Sequence, residues 1–503
     1  MNYCDYLFGA PDEWRDNEAL IDADSGRRYT YGGLQEAVRR LAGFLAGEGV
    51  RPGDIVATHL YNSAEAVLTH LAIQYTGCVT CLLDPLLPAG ALSYYVNDTG
   101  ASWLVSHAGS SLQPGVLPGG VRLLGPADVV RESERPRPEL PAMTPHDFAP
   151  DDLAAIFYTS GTTSQPKGVM LSPRSFFSHV RIFTRSCYRY EPRDRLLCFV
   201  PFSHGYGSKS IFLPCLKAGA AIVMMRSFQP VRIAEVVVRE HVTHLFGVPA
   251  HYQQLLRREE FLGPMRNLKA AFSAAALLKL ETAREWKERV GFALDEGYGL
   301  IETCTGVAFR LGTIPDRLGN VGTYPGDLVS VEIADEQLRI LPRGERGEIV
   351  VRGESLMKGY LNRREETARA LREGWFRTGD MGYKTAANEI VLVGRIKDVI
   401  NVAGVKVAPF EVEAVLNEHP GVNESAVLGV EDEMYGEVVT AFVKPRHGAR
   451  PHERELMQFL QQRLMNFQLP KSIVFVEDFP RTAIGKIDKK ALRAARGPKG
   501  ATA

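Results

Sequence analysis

Between Tyr158 and Gly168 the chain reads YTSGTTSQPKG. Thr159, Ser160, Thr162, Thr163 and Ser164 set hydroxyls around Gly161, and Lys167 follows. Glycine and short hydroxyl residues let successive backbone N–H groups and side-chain oxygens curl around an anion, and a lysine adds the opposite charge. The chemistry implied is phosphate recognition. The loop is not of the GxxxxGK[ST] kind, so it cradles phosphate in another way. Four later stretches carry isolated charges: YGLIETCTG with Glu302, GWFRTGD with Asp380, GRIKDVINVAGVKVAPFEVE with Arg395 and Lys397, and PRTAIGKI with Lys486. Taken one at a time, such residues are ordinarily solvated or members of weak surface ion pairs.

The elements that must position these residues follow from the hydrophobic pattern. A helix over 31–50, apolar strands at 55–60 and 78–83, and an intervening helix give a strand–helix–strand rhythm, which predicts a parallel sheet covered by helices. Residues 107–148 are rich in Pro and Gly and read as irregular connections. Strands recur at 196–200, 221–225 and 244–248, predicting a second α/β unit. After about residue 320 shorter strands and tighter turns predict a small antiparallel, barrel-like part, and the last hundred residues read as a small α+β domain. With 503 residues the chain exceeds what one core usually organises. Lys+Arg and Asp+Glu both total 59, so no global field draws nucleic acid or an anionic membrane. The acidic amino terminus lacks a basic leader, and no apolar run approaches a spanning helix, so a cytoplasmic enzyme is expected. Seven cysteines lie mostly in apolar segments, and Cys78 and Cys81 read as buried core thiols.

In order and spacing the five stretches resemble the adenylate-forming superfamily of acyl- and aryl-CoA ligases, carrier-loading adenylation domains and beetle luciferases, over nearly the whole chain. The resemblance implies a large domain over 1–394, a hinge at 395–397 and a small mobile domain over 398–503. It implies that Thr159, Ser160, Gly161, Thr162, Thr163 and Lys167 hold the β- and γ-phosphates of ATP, and that Glu302 coordinates Mg²⁺. Tyr298 would stack on adenine beside the backbone of 272–278, including Ala274 and Ala275, while Asp380 and Arg395 would contact the ribose. Lys486 would be the catalytic lysine of adenylation, bridging carboxylate and α-phosphate. Lys397 would act in the hinge for the second half-reaction, His204 would gate the acyl pocket, and Gly404 would border a tunnel for coenzyme A.

Four positions depart from the family pattern. Ile301 stands where a threonine is usual, Ala274 and Ala275 replace glycines, and Ser164 replaces a glycine. The segment after His204 has no aspartate of the kind that holds an amino group, so an amino-acid substrate is disfavoured. Gly205 and Gly207 are expected to leave room for a bulky acid, with Tyr206, Val248, Leu300, Cys304 and Gly306 as mostly apolar walls. Lys209 could neutralise a second anionic group, but a lysine on a helix surface is the plainer expectation. The leading reading is an ATP- and Mg²⁺-dependent ligase joining a non-amino-acid carboxylic acid to coenzyme A. The alternatives are an enzyme loading a separate carrier protein and a non-catalytic ligand-binding paralogue. Oligomeric state, pathway and the identity of the acid are not legible in these motifs.

Overall fold

The computed structural model describes residues 1–108, 117, 119–136, 143–159, 165–432, 434–481 and 487–494. Contacts divide the chain into two units. One contains residues 1–314, 321–331 and 351–377, and the other contains 315–320, 332–350 and 378–503.

The first unit holds two sheets. An eight-stranded sheet runs Thr305–Arg310, Asp295–Leu300, Ala270–Ala274, His244–Gly247, Arg195–Cys198, Ala221–Met224, Glu18–Asp22 and Arg28–Thr30. Its inner pairings are parallel and the pairing at each edge is antiparallel. A seven-stranded sheet runs Gly359–Tyr360, Lys167–Leu171, Ala155–Thr159, Val79–Leu82, Ile55–His59, Trp103–Ser106 and Arg122–Leu124. The expected α/β rhythm is therefore present, and the strands read from their apolar runs lie within two residues of those observed. Helix starts follow local chemistry: Thr30 caps Tyr31–Gly47 through the amide of Gly33 at 3.1 Å, and Ser63 caps Ala64–Tyr75. All twelve residues of that second helix are buried, as its lack of a polar face requires. Cys78 and Cys81 are free thiols in the core, as expected.

One expectation fails in part. The Pro- and Gly-rich segment 107–148 contains a strand, Arg122–Leu124, and a helix, Pro126–Glu134. Proline at the first helical position and the Asp128 carboxylate on the amide of Gly125, at 2.9 Å, start that helix, so composition alone misjudged the segment.

In the second unit, Asp380–Lys384, the end of the strand Trp375–Lys384, pairs antiparallel with Ile390–Arg395. A further sheet orders Val405–Val407, Ile400–Val402, Gly436–Pro445 and Val422–Asp432, with Ser472–Phe475 parallel to Gly436–Pro445. The helices Pro409–Glu418 and Glu453–Gln461 close its core through Val412, Leu416, Leu456 and Leu460. This is the small α+β arrangement expected. Among the described residues no helix is long and apolar enough to cross a membrane.

Candidate active site

The hydroxyl-rich loop is the tip of a β-hairpin. Ala155–Thr159 pairs antiparallel with Lys167–Leu171, and Thr159 stands directly opposite Lys167, so the seven residues 160–166 are closed at a fixed base. Ser160, Gly161, Thr162 and Thr163 lie outside the described residues. The base is tethered from outside the hairpin: the Tyr94 hydroxyl donates to the Pro166 carbonyl at 3.2 Å, and the Tyr158 hydroxyl donates to Asp98 at 2.6 Å. Lys167 is only 15% exposed, is ion-paired with Glu366, and lies 5.0 Å from the ring centroid of Tyr360. Its ammonium is thus aimed before any ligand arrives.

The same tyrosine joins the lysine to the acidic motif. Tyr360 pairs with Val169 on the hairpin's outer strand, and its hydroxyl donates to Glu302 Oε1 at 3.0 Å. Glu302 is buried in a short helical turn, Ile301–Thr303, that follows the strand Asp295–Leu300. The Thr303 hydroxyl accepts from the Leu300 amide at 3.0 Å and reaches the carbonyl of Thr305 at 2.7 Å. Next come Cys304 and Thr305, whose φ values of 57° and 101° are left-handed. Such a conformation is strained for a β-branched residue, and strain of this kind gathers at functional sites. Ile301 is buried and brings no hydroxyl of its own.

The stretch expected to receive adenine is anchored by a buried ion pair. Glu296 and Arg310 meet at 3.0 Å on adjacent strands, each side chain 4% exposed, and a Glu296 oxygen accepts the Leu278 amide at 3.2 Å. Burial pushes the Glu296 carboxyl up, with Arg310 acting the other way. The pair anchors the end of the 272–278 stretch beside Tyr298, which is buried at 8% exposure. Ala274 pairs with Gly297, and Ala275 takes a φ of 67°, the conformation in which a glycine carries no strain.

The acyl side differs from expectation in two respects. A Cβ on Gly207 would lie 2.6 Å from the Pro201 carbonyl, so this glycine serves a close backbone approach and opens no space for a substrate. A Cβ on Gly205 would lie 2.8 Å from the Thr305 methyl and 2.9 Å from Lys209 Cε, so that space is already taken by Lys209. At Gly306 the corresponding space is filled by the ring of Phe309. The Tyr206 hydroxyl is held by the carbonyls of Phe272 and Gly247. His204 Nδ1 accepts the Tyr206 amide at 3.2 Å, which leaves the ring proton of the neutral imidazole on Nε2. Val248, Leu300 and Gly306 are half-buried and Cys304 is buried.

Lys209 is the second correction. It is 0% exposed, not on a surface. Residues Tyr206–Phe212 form a π-helix buried along its whole length, so no position on it offers a lysine the surface. Sequence reasoning also missed Tyr360, Glu366, Glu296 and Arg310 as members of the site. The partnerships of Glu366 and Tyr360 with Lys167 span about two hundred residues, and no local signal announces them.

In the second unit, Asp380 and Arg395 are directly opposed in register, and Arg395 Nε meets Asp380 Oδ1 at 2.6 Å. Asp380 is buried and Arg395 exposed. Lys397 lies exposed in the turn Ile396–Asp398. Gly404, with φ 89°, and Ala403, with φ 50°, make the two-residue turn between Ile400–Val402 and Val405–Val407. Lys486 lies outside the described residues, but its flanks do not: an Arg481–Ile487 bridge closes the loop 482–486. Ile487 packs against a core of Ala426, Leu428, Phe442, Phe479 and Leu492.

Among the described residues no cluster of three or more His, Cys, Asp or Glu side chains forms a metal-binding group. One buried carboxylate beside a cationic loop base suits a magnesium ion whose remaining ligands are phosphate oxygens and water.

The profile of the AMP-binding enzyme family matches residues 8–361, and that of the AMP-binding enzyme C-terminal domain matches 411–486. A feruloyl-CoA synthase of an Amycolatopsis species is 33% identical over 475 residues, covering 94% of this chain and 95% of that one. The 4-coumarate-CoA ligase 1 of Narcissus pseudonarcissus is 31% identical, covering 97% and 92%. The crystal structure of ATP-bound MatB from Rhodopseudomonas palustris superposes with a TM-score of 0.90 at 31% identity, covering 99% of each chain.

Proposed function

The chain belongs to the AMP-binding enzyme family and is an acyl- or aryl-CoA ligase, and from that premise we propose a two-step reaction on a non-amino-acid carboxylic acid. A carboxylate oxygen attacks the α-phosphorus of ATP, a P–O bond forms, the bond to the β-phosphate bridge breaks, and pyrophosphate leaves. The thiol of coenzyme A, losing its proton, then attacks the acyl carbon, a C–S bond forms, and AMP departs. Anion meets anion in the first step, so cations held in place are what the protein must supply.

In this reading the hairpin loop and Lys167 receive the β- and γ-phosphates, Tyr298 and the 272–278 backbone receive adenine, and Asp380 with Arg395 receives the ribose. Lys486 bridges the carboxylate and α-phosphate. Bound at Glu302, Mg²⁺ would neutralise phosphate charge. His204, with its proton on Nε2, faces the acyl end, and Gly404 belongs to the path of the pantetheine arm. Residues 395–397 act as the hinge between 1–394 and 398–503, so that Lys397 serves the second step.

The observation that carries the reading is the connected set Thr159, Lys167, Glu366, Tyr360 and Glu302, which places a charged hairpin base beside one buried carboxylate. Its test is incubation with ATP, Mg²⁺ and a panel of carboxylic acids, with either coenzyme A or a purified carrier protein. Acid-dependent pyrophosphate release with a CoA thioester is expected. A carrier adduct with no CoA thioester overturns the choice of thiol, and no pyrophosphate release with any acid overturns the reaction.

A further inference from the structure

We infer that Lys209 is a specificity-determining residue of the acyl pocket, and that the acid this enzyme activates carries a second, distal carboxylate which the Lys209 ammonium receives. The inference rests on the ligase reading and narrows its substrate class.

Lys209 is 0% exposed, and among the described residues its Nζ has no hydrogen-bond partner and no carboxylate at ion-pair distance. Its closest neighbours are aromatic. The Phe157 ring centroid lies 3.6 Å away and that of Phe176 5.9 Å away. The buried imidazoles of His70 and His179 are close enough for the lysine to lower their basicity. The nearby carboxylate of Glu302 attracts the ammonium at longer range but accepts from Tyr360. An aromatic face stabilises a cation without accepting its N–H groups. A buried charge left in this state is costly unless a partner arrives.

The position of the side chain says where that partner would come from. Nζ would lie 3.1 Å from a Cβ on Gly205, the residue directly after His204, and beside the strained Cys304–Thr305 turn. The ammonium thus occupies space that Gly205 leaves vacant at the acyl end of the site. Burial lowers its pKa to about 8, with Cys304 and Glu302 acting in the opposite direction, so the group is still mainly cationic near neutral pH. A monocarboxylic acid with a bare apolar body would leave the charge unpaired. A dicarboxylic acid would use one carboxylate for adenylation and give the other to Lys209.

The experiment measures kcat/KM, by pyrophosphate release and by CoA-thioester formation, for matched pairs: hexanoic against adipic acid, and 3-phenylpropionic against 3-(4-carboxyphenyl)propionic acid. The wild-type enzyme is expected to favour at least one diacid over its partner by about 10-fold or more. Lys209→Met is expected to lower diacid kcat/KM by about 10- to 100-fold and to invert the preference, and Lys209→Arg to retain part of it. Preference for the monoacid in both wild-type pairs overturns the inference while leaving the ligase reading intact. So does a ratio that Lys209→Met does not move. The wild-type ratios decide the matter even where the methionine variant fails to fold. Absence of pyrophosphate release from all four acids counts against the ligase reading itself, and the inference falls with it.

Discussion

At the scale of single residues the site divides its cations by how they are held. Lys167 is fixed in advance by Glu366 and Tyr360, so it suits the phosphates that leave with pyrophosphate. Lys486 lies in sequence between the bridged residues Arg481 and Ile487, and its proposed task belongs to adenylation alone. Lys486→Ala should therefore reduce acid-dependent pyrophosphate release by ~10²–10³-fold, the usual cost of one transition-state donor. Thioester formation from a supplied acyl adenylate and coenzyme A should fall far less. Equal losses in the two assays would remove the division of labour. Glu302, Asp380 and Lys486 could be nominated from the sequence because their motifs are short and local. The burial of Lys209 could not be foreseen, because every residue of Tyr206–Phe212 is buried and a lysine's own chemistry argues for the surface.

At the scale of elements, the proposed adenine side depends on three neighbouring strands and one turn. Glu296 on Asp295–Leu300 pairs with Arg310 on Thr305–Arg310 and also fixes the Leu278 amide after Ala270–Ala274. Arg310→Leu would leave a buried, uncompensated carboxylate, which typically costs ~3–5 kcal/mol. A clear fall in the urea midpoint and a weaker affinity for ATP are expected together. A fall in stability with unchanged ATP affinity would show that the pair does not position the nucleotide. The Ala275 turn tests the opposite sign. Its left-handed backbone costs an alanine ~1–2 kcal/mol, against ~0.4–1 kcal/mol of extra chain entropy for glycine. Ala275→Gly should stabilise the protein by up to ~1 kcal/mol, and a loss of stability would mean that the methyl group packs usefully. The alanines were visible in the sequence as departures, but only the backbone angle shows which of the two is strained. The strands were readable because buried parallel strands are short apolar runs, whereas Pro126–Glu134 was hidden in a segment whose composition resembles a connection.

For the whole molecule, the apolar strand runs foretold a two-unit α/β body but not how its interior handles protons. Five histidines of the first unit are held neutral: His59, His70, His179 and His244 are buried, His251 is half-buried, and burial lowers His244 to about 4. Burial first, and then the charge of Lys209, lowers His70 and His179 to about 3. Burial lowers His251 to about 4, and does the same for His59 with help from His107. In the unfolded chain these imidazoles protonate near 6.5. Below that pH the unfolded state binds protons that the folded state refuses. The contribution to stability is therefore complete above 6.5 and is lost as pH falls toward the folded values. By pH 5 the loss is at most ~2 kcal/mol per histidine, a large share of a domain's ~5–15 kcal/mol when several act together. Trp14, Trp103, Trp286 and Trp375, the four tryptophans of the chain, all belong to the first unit, so their fluorescence reports on its unfolding. The urea midpoint read by that fluorescence should hold between pH 8 and 7 and then fall steadily from 6.5 to 5. His251→Gln, which removes one titrating site away from the lysine, should make that fall shallower. A midpoint that does not move between pH 7 and 5 would mean that these imidazoles are protonated in the folded protein or reach water before it unfolds.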